Sequence, residues 1–104
     1  MTGKLIVFVT CQSAAEAEVI ARTVVEEHLA ACVNVMPGVR SCYMWGQEMK
    51  WSEEVLLLVK TTEGKYAELQ SRVKELHSYD VPEIVAVKIE AGLEGYLKWI
   101  AQSV

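Results

Sequence analysis

Few side chains in this chain could bind a soft or borderline metal: three cysteines, Cys11, Cys32 and Cys42, and two histidines, His28 and His77. Imidazole suits copper, zinc and nickel, and it titrates near physiological pH, so binding through it depends on pH. Spacing limits what they can build. No cysteine pair is spaced CxxC, and no His/Cys pattern defines a closed tetrahedral centre. Any metal site must be assembled between distant segments or between chains, and would exchange its ion readily. Ordinary roles compete with ligation. A reduced thiol is commonly a small buried hydrophobe, and Met44, beside Cys42, is more often packing than ligand. His77, at a helix C-terminus, can be satisfied by local carbonyls and the helix dipole.

Nothing in the sequence requires catalysis. No serine or cysteine carries a histidine motif, and no glycine-rich loop cradles a phosphate, so the chain reads as non-enzymatic with no obligatory cofactor. The net charge is −4 and the ten Lys and Arg are scattered, which disfavours nucleic acid as a partner. No apolar run reaches membrane-spanning length, and "MTGKLIVFVT" is too short and unflanked for a signal peptide, so the expected location is the cytoplasm. At 104 residues and 52% hydrophobic, the expectation is a single domain over residues 1–104.

The elements that must position these residues follow from hydrophobic spacing. "KLIVFVT" reads as a buried strand. "SAAE" is a capping box in which Ser13 accepts from the N3 amide and Glu16 reaches back. Ala17, Ile20, Ala21 and Val24 then recur at helical spacing, with Val25 alongside, to an end near His28-Leu29. "ACVNVMPGVRSCYMW" alternates as a long strand interrupted at Pro37-Gly38, where a kink or an edge position is expected. A turn at Gly46-Gln47 leads into "EMKWSEEVLLLVKT", whose Val55 to Val59 half is apolar towards both faces and so is expected to be buried on both or nearly so. Tyr66, Leu69, Val73 and Leu76 mark a second helix, "EIVAVKIE" a fourth strand, and Leu93, Tyr96, Leu97 and Ile100 a closing helix. The order β-α-β-β-α-β plus a short C-terminal helix predicts an α+β, ferredoxin-like split βαβ fold. It has a four-stranded antiparallel sheet, helices on one face and a long β2–β3 hairpin.

That fold hosts many functions. The first loop, "VTCQSA", offers one thiol where a soft-ligand metallochaperone needs two, and it lacks the glycine and arginine of an acylphosphatase-type anion loop. The strands lack the aromatic pairs on which an RNA-binding sheet stacks bases. Two features still ask for an explanation. Tyr43, Met44, Trp45, Met49 and Trp51 crowd the hairpin, which alone would be an aggregation hazard. Lys60, ending a buried strand, must snorkel, pair with a carboxylate such as Glu54 or Glu83, or hold an anion.

The segments "LAACVNVMPGVRSCYMW", "EEVLLLVKT", "LHSYDVPEIVAV" and "GYLKWI" resemble the CutA family of divalent-cation-tolerance proteins over essentially the whole chain. The resemblance implies a homotrimer in which each hairpin pairs with its neighbours, with Tyr43, Trp45 and Trp51 as interface anchors. It also implies divalent metal ions as partners, copper foremost and zinc as another candidate. His77 matches the family histidine implicated in copper binding, although Ser78 stands where the family pattern has proline. A cysteine that some members carry matches Val9. Cys11, two residues on, is the thiol candidate, and it either points to the same side of the strand or is displaced by the loop. Lys60 and Tyr79 match positions lining a cleft between subunits, with Glu54 as the nearby acid. The alternative reading is a signalling or scaffold module, like the PII proteins in architecture, that binds a small anion or a partner protein in that cleft.

Overall fold

The computed structural model describes residues 1–104. Strand β1 runs Lys4–Cys11, helix α1 Ala14–Glu26, β2 Cys32–Trp45 and β3 Glu48–Thr62; a single 3-10 turn over Glu63–Lys65 leads into α2, Tyr66–Leu76, followed by β4, Ile84–Lys88, and α3, Glu94–Ser103. The sheet order is β2-β3-β1-β4, with every neighbouring pair antiparallel. This is the split βαβ arrangement that the element order implies.

Alternation along β1 and β3 decides where the core sits. Leu5, Val7, Val9 and Cys11 share one side with Val55, Leu57 and Val59, and that side buries against Ala17, Ile20 and Val24 of α1 and Leu69 and Val73 of α2. Val25, beside the α1 stripe, stays partly exposed. The opposite side carries Ile6, Phe8, Leu56 and Leu58, all only half-buried, while Val85 and Val87 of β4 are exposed. Thus the Val55–Val59 stretch is sealed on one face alone within a single chain. Helix α3 lays Tyr96 at the Lys60 end of that open face and buries Ile100 outside the main cluster.

The Pro37-Gly38 interruption is a bulge. Register shifts between Met36 and Val39, with Gly38 at φ 79°, a conformation that glycine adopts without steric cost. Beyond it the hairpin is a two-stranded ribbon, because β1 pairs only Val55 to Thr62 of β3 and leaves Glu48–Glu54 paired with β2 alone. The ribbon stretches the molecule to 46 × 25 × 23 Å. A lone two-stranded ribbon is marginal in water, yet this one exposes Trp45 at 73%, Trp51 at 55%, and Met44 and Met49 at 62% each. By register, Tyr43 and Trp45 face one side of the ribbon and Cys42 and Trp51 the other. Both faces therefore carry exposed aromatic rings.

Helix α1 ends at Glu26, two residues short of the expected end, in a Schellman motif. The amide of Leu29 donates to the Val24 carbonyl at 2.8 Å and that of His28 to Val25 at 3.1 Å, with His28 at φ 58° in the position glycine usually fills. A non-glycine residue there costs about 1–2 kcal/mol, while added freedom of a glycine in the unfolded chain returns about 0.4–1 kcal/mol. His28→Gly is therefore expected to stabilise the fold by about 0.5–1 kcal/mol, read as a raised denaturation midpoint at unchanged slope. An unchanged or lowered midpoint would mean that the approach of His28 Nδ1 to the Ser103 carbonyl, 3.4 Å, matters more than the backbone strain.

Candidate functional site

Three donor atoms from distant parts of the chain meet where β1 enters α1. Cys11 closes β1 and points to the same side as Val9, toward the helices, and is fully buried. Glu16 lies in the first turn of α1, and His77 caps the C-terminus of α2 with extended backbone. The ligating atoms of Cys11, Glu16 and His77 lie within 4.8 Å of one another. The fold thus brings His77 and Cys11 together and adds Glu16, which sequence spacing assigns to the capping box.

Only half of that box forms. Ser13 Oγ accepts from the Glu16 amide at 3.2 Å, as expected. The Glu16 carboxylate does not return to Ser13. Its Oε2 accepts from the Ser78 amide at 3.0 Å, and its Oε1, buried without a hydrogen-bond partner, lies 3.9 Å from His77 Nε2. A local pattern signals the cap, but this diversion depends on a residue 62 positions away, for which no local signal exists.

The His77 ring is held at both nitrogens. Nδ1 accepts from the Tyr79 amide at 3.1 Å, so the ring proton sits on Nε2, which donates to the Thr10 carbonyl at 2.7 Å. The ring also packs against Tyr79, with centroids 4.8 Å apart. A metal at Nε2 must displace the Thr10 carbonyl and move the ring proton to Nδ1, against the Tyr79 amide. Burial first, and then the charges of Glu16 and Glu54, push the Cys11 thiol up to about 12, so ligation there must also expel a proton. The donor set suits a borderline divalent ion, and any ligation there would have to meet these local costs.

The expected cleft residues divide into two places. Tyr79 OH donates to Glu54 Oε2 at 3.1 Å, and burial, followed by the bond to Glu54, raises the phenol to about 12. They line a groove of about 1020 Å³ with Tyr43, Trp45, Asp80 and Glu83, where Lys50 is the one cation. Lys60 does not line it. It lies six residues from Glu54 along β3, about 20 Å away, where it donates to the Asn34 carboxamide and its ammonium lies 5.8 Å from the Tyr96 ring. Of the three options open to Lys60, pairing with Glu54 or Glu83 does not form within the chain; its partner is Asn34, because antiparallel register sets Asn34 opposite Leu58, diagonal to Lys60. On the ribbon, Tyr43 OH is 2.8 Å from Ser52 Oγ, and Arg40 stands 4.6 Å over the Trp51 ring.

A four-stranded antiparallel split βαβ sheet with helices on one face and a projecting hairpin defines a small α+β protein of the ferredoxin-like class. The CutA1 divalent ion tolerance protein model matches residues 5–103, and the chain belongs to that family. It is 48% identical over 98 residues to the divalent-cation tolerance protein CutA of Thermus thermophilus, covering 94% of this chain and 95% of that protein. The crystal structure of CutA from Xylella fastidiosa superposes with a TM-score of 0.95 at 38% identity, covering 97% of each chain. A chloroplastic CutA of Arabidopsis thaliana is 37% identical over 99 residues, 95% of this chain but 54% of that protein. Against such longer relatives the chain spans about half the length. The family is described by tolerance of divalent ions and not by a reaction. No helix is long and apolar enough to cross a membrane.

Proposed function

We propose that residues 1–104 act as one unit, a cytoplasmic, non-enzymatic homotrimer that contributes to divalent-cation tolerance by weak, exchangeable metal binding at His77 and Cys11. The observation that carries this reading is the convergence of Cys11, Glu16 and His77 within 4.8 Å, beside a buried carboxylate oxygen that nothing in the fold satisfies. Copper and zinc both suit this donor set, by the preferences of imidazole and thiolate.

The trimer rests on physical need. The two-stranded ribbon carries exposed aromatics on both faces, and the sheet face opposite the helices is only half-covered. A closed three-fold ring would consume these surfaces. The other reading, an anion held by Lys60 in a cleft with Tyr79 and Glu54, draws no support from a groove that holds three carboxylates and excludes Lys60.

Metal uptake has a defined pH dependence. The thiol keeps its proton until about pH 12 in the metal-free fold, so each bound ion displaces one proton across the physiological range. Apparent affinity should therefore rise about tenfold per pH unit between about pH 6 and 8. Calorimetric titration of the reduced protein with Zn(II) at several pH values checks this. Cys11→Ala should abolish that slope and most uptake while leaving the assembly intact. Undiminished uptake by the variant would remove Cys11 from the site.

A further inference from the structure

One oxygen in the interior lacks a partner, and it belongs to Glu16. A buried carboxylate oxygen left unsatisfied is costly, so a native fold that keeps one there calls for an explanation. We propose that Glu16 is the third ligand of the metal site and that Cys11 Sγ, Glu16 Oε1 and His77 Nε2 together take a divalent ion of the zinc class in preference to monovalent copper. This rests on the metal-binding reading above and specifies its donor set and its ion.

Charge and geometry support the assignment. On binding, Cys11 supplies a thiolate, Glu16 a carboxylate and His77 a neutral imidazole, so a divalent ion brings the buried cluster to neutrality. Monovalent copper would leave one net negative charge in a site where Cys11 is fully buried, which is costly without a compensating partner. The carboxylate is already aimed. Its Oε2 is anchored by the Ser78 amide while Oε1 stays free, as ligating carboxylates are normally oriented by hydrogen bonds. Three protein donors leave a fourth position open on a tetrahedral ion, the arrangement that lets solvent or a competing ligand enter. On binding, the thiol proton leaves to solvent and the ring proton of His77 moves from Nε2 to Nδ1, which breaks the bonds to the Thr10 carbonyl and from the Tyr79 amide.

The experiment compares the intact reduced protein with Glu16→Gln and Cys11→Ala. Zn(II) affinity is measured by competition with a chromophoric chelator, and Co(II) serves as a spectroscopic stand-in. Glutamine keeps a carbonyl to accept from Ser78 but removes the anionic ligand. The proposal predicts that Glu16→Gln lowers Zn(II) affinity by about tenfold or more, since even losing a hydrogen-bond partner of a ligand costs about 10–100-fold. The ultraviolet thiolate-to-cobalt absorption should persist in Glu16→Gln and vanish in Cys11→Ala. The parent protein should also hold Zn(II) against a chelator level that strips Cu(I). Unchanged Zn(II) affinity in Glu16→Gln, with the thiolate absorption intact, would overturn the role of Glu16 while leaving a Cys11–His77 site standing. Absence of Zn(II) binding and of thiolate absorption in the parent protein would overturn the metal-binding reading itself. Tighter Cu(I) than Zn(II) retention would overturn the choice of ion.

Discussion

The double variant Trp45→Glu/Trp51→Ala should abolish the proposed trimer, and light scattering should report the 11.6 kDa mass of one chain. The choice of residue differs at the two positions for a physical reason. Trp45 lies opposite Glu48 in the ribbon register, so a glutamate adds like-charge repulsion there as well as removing the ring. Arg40 stands over Trp51 and would pair with an acid at that position, so alanine is the cleaner change. An indole carries roughly 150–250 Å², of which 73% at Trp45 and 55% at Trp51 is still open to burial, worth about 2–5 kcal/mol each at 25 cal/mol per Å². Each change acts in every subunit of a closed ring, so the loss multiplies with the symmetry. The helix-covered core lies elsewhere in the chain, around Val7, Leu57 and Ile20, and should keep its far-ultraviolet circular dichroism. A variant that still weighs three chains would place both tryptophans outside the interface.

His77→Ala should be the most destabilising single change at the site. It strands the Thr10 carbonyl and the Tyr79 amide, both now satisfied by the ring, and leaves a void in a buried position. Each unsatisfied buried group costs about 1–3 kcal/mol. Water reaching the Tyr79 amide beside exposed Ser78 recovers part of this, so a net loss of about 3–4 kcal/mol is expected. Urea denaturation at fixed protein concentration measures it, since the midpoint of an oligomer depends on concentration. A change within about 0.5 kcal/mol would mean that the ring is not a strut between β1 and α2. The result also bears on how metal binding is tested. His77 serves the fold as well as the cluster, so loss of uptake in His77→Ala alone would be ambiguous, whereas Cys11 and Glu16 carry the clean comparisons.

Much of this architecture was legible in the chain because the signals that specify it are local. The alternation in "KLIVFVT", the helical recurrence of Leu69 and Val73, the bulge at Pro37-Gly38 and the turn after Trp45 each depend on residues a few positions apart. The cluster was legible only in part. His77 and Cys11 stand out by residue type, and strand alternation then places Cys11 on the helix side. Glu16 was hidden, because its sequence context reads as a capping box. The carboxylate instead answers the amide of Ser78, and that pairing exists only once α1 and the end of α2 are packed together. The partner of Lys60 was hidden for the same reason. It is set by the register of β2 against β3, and a carboxylate nearby in sequence, Glu54, lies about 20 Å along the strand. The open sheet face follows from counting helices, but a single chain carries no signal for what would cover it.

Native mass spectrometry of the reduced protein, with and without stoichiometric Zn(II), tests the central claim most directly. The account predicts an assembly of three chains that gains one zinc per chain and loses it to mild chelation. A three-chain assembly that stays bare in zinc, or a single chain in either condition, would contradict it.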